Sequence, residues 1–223
     1  MTQKLFWSAL TKFFAGVILL GILIFLPAGD RHFFGGWLLM GILFIPMFLA
    51  GLVMMVKNPS LLAKRLSAKE KEGEQSLVIK LSGLMFLAGF LLAGLDHRFG
   101  WLPLPGWVNL AAAGVFLLAY GLYAEVLREN TFLSRTIEVQ EGQRVIDTGL
   151  YGIVRHPMYS VTLLLFLSMP LVLGSLISFP VFLAYPFLIV KRIRNEEQVL
   201  EAGLPGYGKY RKKVKYRLIP FIW

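Results

Sequence analysis

The sequence predicts an all-α integral membrane protein with about six membrane-crossing helices. Of its 223 residues, 57% are hydrophobic and only 16% are charged, whereas about a quarter of the residues in a soluble domain are charged. The apolar residues gather in long uncharged runs, and the longest of these extends from residue 157 to residue 190. Lys and Arg are concentrated in every second connection between the runs, which is the pattern of cytoplasmic loops.

Four apolar runs in the first half of the chain are predicted to cross the membrane. They extend from Phe13 to Gly29, from Phe33 to Val56, from Leu77 to Leu95 and from Val108 to Ala124. About 20 apolar residues span a hydrocarbon core of ~30 Å. The first run follows Lys4 and Lys12 and lacks a good cleavage site, so we expect a retained span and not a signal peptide. Three small residues in the fourth run predict close helix packing there: Gly114, Ala119 and Gly121.

The polar connections allow less specific predictions. Residues 57–75 are predicted to form a solvated loop with a short surface helix and no catalytic role. Asp96, His97 and Arg98 close the third run, and we interpret them as a loop cap in preference to a catalytic pair. Residues 125–154 alternate in polarity around Arg135 and turn at Gly142, which indicates an extended hairpin or a loop instead of a helix.

The uncharged run 157–190 is predicted to be a helical hairpin. As one helix its 34 residues would be about 50 Å long at ~1.5 Å per residue, which is too long for one crossing. Gly174-Ser175 near the middle marks the turn, so the predicted arms are Met158–Leu173 and Leu176–Arg194. Three prolines are expected to kink the arms: Pro170, Pro180 and Pro186.

The C-terminal segment predicts an amphipathic tail on the lipid headgroups, because Tyr207, Tyr210 and Val214 recur at helical spacing beside the basic run 211–215. If the N-terminus, the two long polar links and the tail share one side, only Arg31 and Arg98 of the 23 Lys and Arg residues fall on the other. We therefore expect both termini to be cytoplasmic. We also expect a single membrane domain, 1–223, in which 1–128 supply four spans and 129–223 supply a cofactor-binding loop, the hairpin and the tail.

Composition also excludes several classes of function. The chain has no cysteine, so disulfides, thiolate catalysis and cysteine-bound metals are ruled out, and we predict no metal site. The net charge of +10 could indicate nucleic-acid binding, but no nucleic-acid-binding motif accompanies it. Cytoplasmic membrane loops explain the charge better, so membrane lipids are the expected partners and nucleic acid is not.

Two polar clusters flank the hairpin on the predicted cytoplasmic side. The segment Gly149 to Tyr159 contains an arginine, a histidine and two tyrosines at the mouth of a membrane segment, where unpaired polar groups are expensive. Pro157 suits the first turn of a helix and keeps His156 out of the α region, so His156 is expected at the helix entrance. The second cluster follows the hairpin: Arg192, Arg194, Glu196 and Glu197.

These clusters together resemble a known family. Gly149-x-Tyr151-x-x-x-Arg155-His156-Pro157-x-Tyr159, then Glu196-Glu197-x-x-Leu200, Tyr207-x-x-Tyr210 and Pro220, is similar to the isoprenylcysteine carboxyl methyltransferase family. The resemblance covers Glu129 to the C-terminus, and phospholipid methyltransferases share part of it. It implies an S-adenosyl-L-methionine-dependent methyltransferase embedded in the membrane, with a lipidic or prenylated acceptor that is most simply a carboxylate.

The resemblance also implies residue roles. Tyr151, Arg155, His156 and Tyr159 would line the cofactor site, which Pro157 would shape. Glu196 and Glu197 would bind the ribose hydroxyls or the amino group of the cofactor. A carboxylate acceptor is already ionised and needs no base, so catalysis would be mostly positioning and desolvation, with Arg192 or Arg194 orienting the acceptor. An amine acceptor would need a base, for which the candidates are Glu197 and His156.

Other functions remain open at this point. Some membrane sterol reductases resemble the C-terminal half of this family but use NADPH, and a phospholipid N-methyltransferase is a further alternative. A small transporter or scaffold is the non-enzyme alternative. It is less favoured, because the predicted spans are nearly free of charge and we see no internal repeat.

Overall fold

The computed structural model describes residues 3–66, 73–134 and 137–223. Its first five helices are α1 (Gln3–Ala28), α2 (Phe34–Lys57), α3 (Pro59–Leu66), α4 (Gly73–Phe99) and α5 (Gly106–Glu129). After a 3-10 turn at Gly149–Gly152 come α6 (Pro157–Val172), α7 (Phe179–Phe182), α8 (Ala184–Gly203) and α9 (Tyr207–Lys213). The described residues contain no strand beyond one isolated bridge, between Pro103 and Ser175. The all-α prediction is confirmed.

Four helices, α1, α2, α4 and α5, are long and apolar enough to cross a membrane. Large hydrophobic side chains on their outer faces are exposed, for example Ile18 at 61% and Leu118 at 67%. Such surfaces suit lipid and not water, so the chain is an integral membrane protein. The 16 residues of α6 extend only about 24 Å at ~1.5 Å per residue. Six crossings therefore stay a prediction, as does the cytoplasmic location of the termini.

The helix core joins the two halves of the chain. α6 packs mainly against α5, and α1 packs mainly against α4. Close approach occurs at Gly89, where an added Cβ would lie 2.4 Å from the Phe182 ring, and at Gly94, where it would lie 2.8 Å from the carbonyl oxygen of Ile24. The expected close packing in α5 is only partly correct. Ala119 is fully buried, but Gly114 and Gly121 face open space.

The predicted hairpin has the expected first arm but a different second arm. After α6 the chain turns at Gly174, whose φ is +74°, and the next helix begins only at Phe179. The second arm is not one helix from Leu176 to Arg194, because α7 and α8 are separate helices. Proline explains the break: Pro180 and Pro186 lie in the first turns of α7 and α8, where a missing N–H leaves no hydrogen bond unmade. Of the three prolines that were expected to kink the arms, only Pro170 lies in the interior of a helix, near the end of α6.

One end of the bundle is closed by polar contacts. Asp96, 1% exposed, accepts hydrogen bonds from the Ser175 hydroxyl at 2.6 Å and from the Leu102 amide at 2.8 Å. His97 does not pair with Asp96; it lies 3.0 Å from Asp30. Asp96 is therefore the loop cap that the sequence predicted, and the residues of the two polar clusters lie at the other end.

The amphipathic tail helix forms as α9, but its apolar side does not face the headgroups. Tyr207, Tyr210 and Val214 are at most 6% exposed. They pack with Leu204 against α8 and against the loop that precedes α6. The prediction that these residues lie on the lipid is wrong, because the loop offers them an apolar surface within the protein. The extended hairpin expected around residue 135 falls partly outside the described residues; from 137 to 148 the chain has no regular structure except a turn at Gly142.

Candidate functional site

The entrance of α6 is tied to the C-terminal part of the chain. His156 is the N-cap of α6, with φ −125° and ψ 60°, and Pro157 is its first residue, as the sequence predicted. The backbone amides of Arg155 and His156 donate to the carbonyl oxygens of Tyr216 and Arg217, both at 2.9 Å. Residues 214–218, which we call the strap, therefore fix the direction in which both side chains leave the backbone.

Glu197 lies at the centre of a buried ionic cluster. Arg155 Nε donates to Glu197 Oε1 at 2.7 Å, Arg217 Nε donates to Oε2 at 2.8 Å, and His156 Nε2 lies 3.3 Å from Oε1. The Glu197 side chain is 6% exposed. Burial raises the pKa of this carboxyl, but the hydrogen bonds from His156, Arg155 and Arg217 outweigh burial and hold the pKa below its usual range. Glu197 is therefore an ionised, fully engaged carboxylate.

The strap completes this cluster. Arg155 Nη1 donates to the carbonyl oxygens of Val214 and Lys215, each at 2.8 Å. Arg217, which the sequence analysis did not select, is the second arginine on Glu197. The sequence offered one clue to this role, because Arg217 directly precedes the apolar segment 218–223. A charge next to such a segment needs a partner, and Glu197 is that partner.

A cavity lies beside the cluster, between the entrance of α6, the polar half of α8, α9 and the loop before α6. Its volume is about 830 Å³, including the part open to solvent. Five predicted cofactor-site residues line it: Tyr151, Arg155, His156, Tyr159 and Glu196. Pro157 is buried at the start of α6 and Glu197 lies behind Arg155 and His156, so neither lines the cavity. The structure thus brings most of the predicted residues together.

Glu196 and Arg192 meet at Tyr159. The Tyr159 hydroxyl donates to Glu196 Oε2 at 2.5 Å and accepts from Arg192 Nε at 2.9 Å. The Arg192 guanidinium also lies 6.0 Å from the centroid of the Tyr159 ring. Arg192 therefore reaches the edge of the site through Tyr159. Arg194, two residues further along α8, is exposed and does not line the cavity.

Tyrosines form much of the remaining wall. The Tyr210 hydroxyl donates to the carbonyl oxygen of Tyr151 at 2.8 Å, and Asn130 Nδ2 donates to the Tyr151 hydroxyl at 3.0 Å. The hydroxyl of Tyr207 is buried and has no hydrogen-bond partner in the described part of the chain. Burial raises the pKa of Tyr151, Tyr207 and Tyr210, so all three are neutral phenols at physiological pH.

The first half of the chain also reaches the cavity wall, through α3. Lys64 Nζ donates to Gln140 Oε1 at 2.5 Å and lies 5.8 Å from the centroid of the Phe132 ring, and both of these residues line the cavity. Arg65 lies 3.8 Å from the Met158 sulfur and donates to the Tyr123 hydroxyl. The surface helix predicted within 57–75 is present, but it is not a detached solvated element. Four further charged residues of this link are outside the described residues: Lys69, Glu70, Lys71 and Glu72.

Part of the chain matches a known protein family. Residues 110–202 match the model of the isoprenylcysteine carboxyl methyltransferase (ICMT) family. The resemblance predicted from the motifs is confirmed over this segment, which runs from α5 to the end of α8. The ICMT match thus includes the arginine, the histidine and the acidic pair of the site. It does not include α9, which lines the same cavity, or the strap, which contacts Arg155 and Glu197.

Two sterol reductases are also similar to the chain. It is 34% identical over 91 residues to the Delta(14)-sterol reductase TM7SF2 of Mus musculus, covering 40% of this chain and 22% of the relative. It is 25% identical over 138 residues to the Delta(14)-sterol reductase of Methylotuvimicrobium alcaliphilum, covering 54% of this chain and 32% of the relative. The chain therefore matches about a fifth and about a third of the length of these two relatives.

Proposed function

We propose that this protein is a membrane-embedded S-adenosyl-L-methionine-dependent methyltransferase that acts on a lipidic or prenylated acceptor, most simply a carboxylate. The observation that carries the proposal is the cavity lined by Arg155, His156, Tyr159 and Glu196. Three further facts agree with it. The cavity lies beside the apolar helices, it lies within reach of water, and most of its named residues fall in the segment that matches the ICMT family.

The cavity fits this cofactor in charge. Its charged lining residues are two acids, Glu138 and Glu196, and two bases, Arg144 and Arg155. Arg155 is already engaged by Glu197 and the strap. NADPH carries phosphate groups that need several cations, so a balanced lining favours the cationic cofactor.

The bound cofactor would supply an electrophilic methyl group on its sulfonium. Glu196 would accept hydrogen bonds from its ribose hydroxyls or its ammonium group, since Glu196 is the acid of the pair that lines the cavity. Glu197 would act by holding Arg155 and His156 in place. A carboxylate with a lowered pKa that already accepts three contacts is a poor base, so an amine acceptor would depend on His156.

The acceptor would enter from the lipid and be oriented at the edge of the cavity. Arg192 is the proposed cation, because it reaches the cavity through Tyr159, and Arg194 is the less favoured of the two arginines that the sequence offered. A carboxylate held in line with the methyl group needs no proton transfer. The protein would then act by positioning the two reactants and excluding water.

The first experiment is calorimetric binding of S-adenosylhomocysteine and, in parallel, of NADPH to the detergent-purified protein. We expect only S-adenosylhomocysteine to bind, and a screen of prenylated cysteine compounds with labelled cofactor would then identify the acceptor. A phospholipid amine as the methylated acceptor would indicate the N-methyltransferase alternative. Binding of NADPH alone would support a sterol-type reductase, which the two relatives favour. Binding of neither ligand to folded protein would leave a transporter or scaffold.

A further inference from the structure

Tyr207, a residue of the cavity wall, has a hydroxyl with an unusual environment. Its side chain is 3% exposed, it lines the cavity, and its hydroxyl is buried without a hydrogen-bond partner among the described residues. Buried hydroxyls almost always have a partner, because leaving one unpaired is destabilising. Gly206, in the left-handed region with φ +86°, is the N-cap of α9, and Tyr207 is the first residue of this helix.

A second tyrosine on the same helix shows that the surroundings can satisfy a hydroxyl. Tyr210, one turn further along α9, lines the same cavity and donates to the carbonyl oxygen of Tyr151. Tyr207 is as buried as Tyr210, yet its hydroxyl has no such carbonyl. The missing partner is therefore a specific property of Tyr207, which is a residue of the cavity wall.

The cavity has a polar and an apolar set of lining groups. The polar set comes from the entrance of α6, from α8 and from the loop before α6, and includes Arg155, His156 and Glu196. Three of the apolar lining residues, Val145, Leu200 and Leu204, pack with Tyr207 in a cluster that is separate from the main core. The proposed cofactor has a charged amino-acid portion and a flat adenine base, and the apolar side chains around Tyr207 suit the base.

We propose that the Tyr207 hydroxyl forms a hydrogen bond with the adenine base of the bound cofactor, and that Val145, Leu200 and Leu204 enclose that base. Tyr207 is then a specificity-determining residue of the binding site. The motif contains Tyr207 but gave it no role, and the residue lies outside the segment that matches the ICMT family. The inference rests on the proposed function. A neutral phenol can donate to a ring nitrogen or accept from the amino group of adenine, so either edge of the base satisfies it.

The test is Tyr207→Phe, which removes the hydroxyl and keeps the ring. Calorimetry is done with S-adenosylhomocysteine and with 5′-methylthioadenosine, which retains the adenine and ribose but lacks the amino-acid portion. We expect both affinities to fall by the same factor, about 3- to 10-fold, which corresponds to one hydrogen bond. The thermal midpoint of the ligand-free protein should stay the same or rise, because an unpaired buried hydroxyl has been removed.

Tyr210→Phe is the matched control for stability. It removes a hydroxyl that has a partner, so the thermal midpoint of the ligand-free protein should fall. A lower midpoint for Tyr207→Phe would mean that its hydroxyl has a structural partner, and would overturn the inference.

The binding results separate the inference from the proposed function. If wild-type protein binds neither adenosyl ligand, the proposed function fails and the inference fails with it. If wild-type protein binds both and Tyr207→Phe leaves both affinities unchanged, only the inference is wrong. If Tyr207→Phe weakens S-adenosylhomocysteine but not 5′-methylthioadenosine, the hydroxyl contacts the amino-acid portion, and the assignment to adenine is overturned.

Discussion

Glu196 and Glu197 are neighbours in α8, yet their carboxylates lie in opposite surroundings. Glu196 lines the cavity and accepts a hydrogen bond from Tyr159. Glu197 is buried behind the cavity and is held by Arg155, His156 and Arg217. Successive residues of a helix point about 100° apart because a turn holds ~3.6 residues. One acid of the pair is therefore available to a ligand, and the other holds the site together.

Replacing Glu196 by Gln should weaken cofactor binding and leave stability almost unchanged. Gln keeps the shape but loses the charge, and a hydrogen bond to a charged group is worth about 1.5–3 kcal/mol. We therefore expect S-adenosylhomocysteine affinity to fall about 10- to 100-fold, as measured by calorimetry. Glu201→Gln is the control, because Glu201 lies one turn further along α8, pairs with Arg211 and does not line the cavity. Equal losses in both variants would contradict the role of Glu196.

Replacing Glu197 by Gln should destabilise the protein strongly. The Arg155 side chain is 4% exposed, and removing the Glu197 carboxylate leaves its buried charge without this ion-pair partner. Breaking such a pair typically lowers the free energy of unfolding by about 3–5 kcal/mol. Denaturant unfolding in detergent would measure the loss. The exposed Glu201–Arg211 pair should contribute less than about 1 kcal/mol, so a loss in Glu201→Gln as large as in Glu197→Gln would refute the argument.

The contribution of Glu197 to stability should depend on pH in a defined direction. The pKa of Glu197 is lowered below its ordinary 4.5, so the folded state binds this proton less readily than the unfolded state. The stabilisation is complete above the ordinary pKa and is lost as the pH falls below it. The difference in unfolding free energy between wild type and Glu197→Gln should be constant from about pH 7 to about pH 5 and shrink in more acidic solution. A difference that grows on acidification would show that the sign is wrong.

Gly149→Ala should destabilise the turn that carries Tyr151. Gly149 has φ +51°, and an added Cβ would lie 1.7 Å from Glu129 Oε1. Glu129 would have to move, and its Oε2 would lose the hydrogen bond from the Leu150 amide. Gly142 has φ +69° and open space around it, so Gly142→Ala should show the backbone strain alone, about 1–2 kcal/mol. Gly149→Ala should lose roughly 1–3 kcal/mol more in the same unfolding assay. Equal losses would mean that the Glu129 contact is unimportant.

Arg192 and Arg194 should differ in their effect on turnover. Arg192 contacts Tyr159 at the edge of the cavity, whereas Arg194 is exposed. With a carboxylate acceptor, Arg192→Ala should lower kcat/KM at least about 10-fold while changing the affinity for S-adenosylhomocysteine much less. Arg194→Ala should behave like wild type in both assays. If Arg192→Ala weakens cofactor binding as much as turnover, Arg192 holds the cofactor site and does not orient the acceptor.

Much of the fold could be predicted because its determinants are local. The four long apolar runs, the turn at Gly174 and the start of α6 at Pro157 all follow from hydrophobic runs and helix-breaking residues. The helix ends were less accurate. The third span was expected over 77–95, but α4 extends over Gly73–Phe99, because charged residues end an apolar run without ending a helix. For the same reason α8 continues well past Arg194.

The site could be predicted only as far as the motif reached. Tyr151 to Tyr159 and Glu196 meet in one cavity, as their shared resemblance implied. The roles of Arg217 and α3 were missed, because Arg217 meets Glu197 across 20 residues and Lys64 meets Gln140 across 76. The different roles of Glu196 and Glu197 also escaped prediction. Two adjacent acids look alike in a sequence, and only the packing of the strap on one side of α8 separates them.

The strap has a consequence for how the protein is made. Residues 214–218 leave the ribosome after all eight helices that precede α9, and Arg155 gains its partners Val214 and Lys215 only then. A chain released before Val214 would still contain every apolar segment needed for insertion, but Arg155 and Glu197 would lack the strap. Incomplete chains would thus reach the bilayer with the buried Arg155 and Glu197 poorly paired. Correct pairing of these two buried side chains is therefore coupled to complete synthesis of the strap.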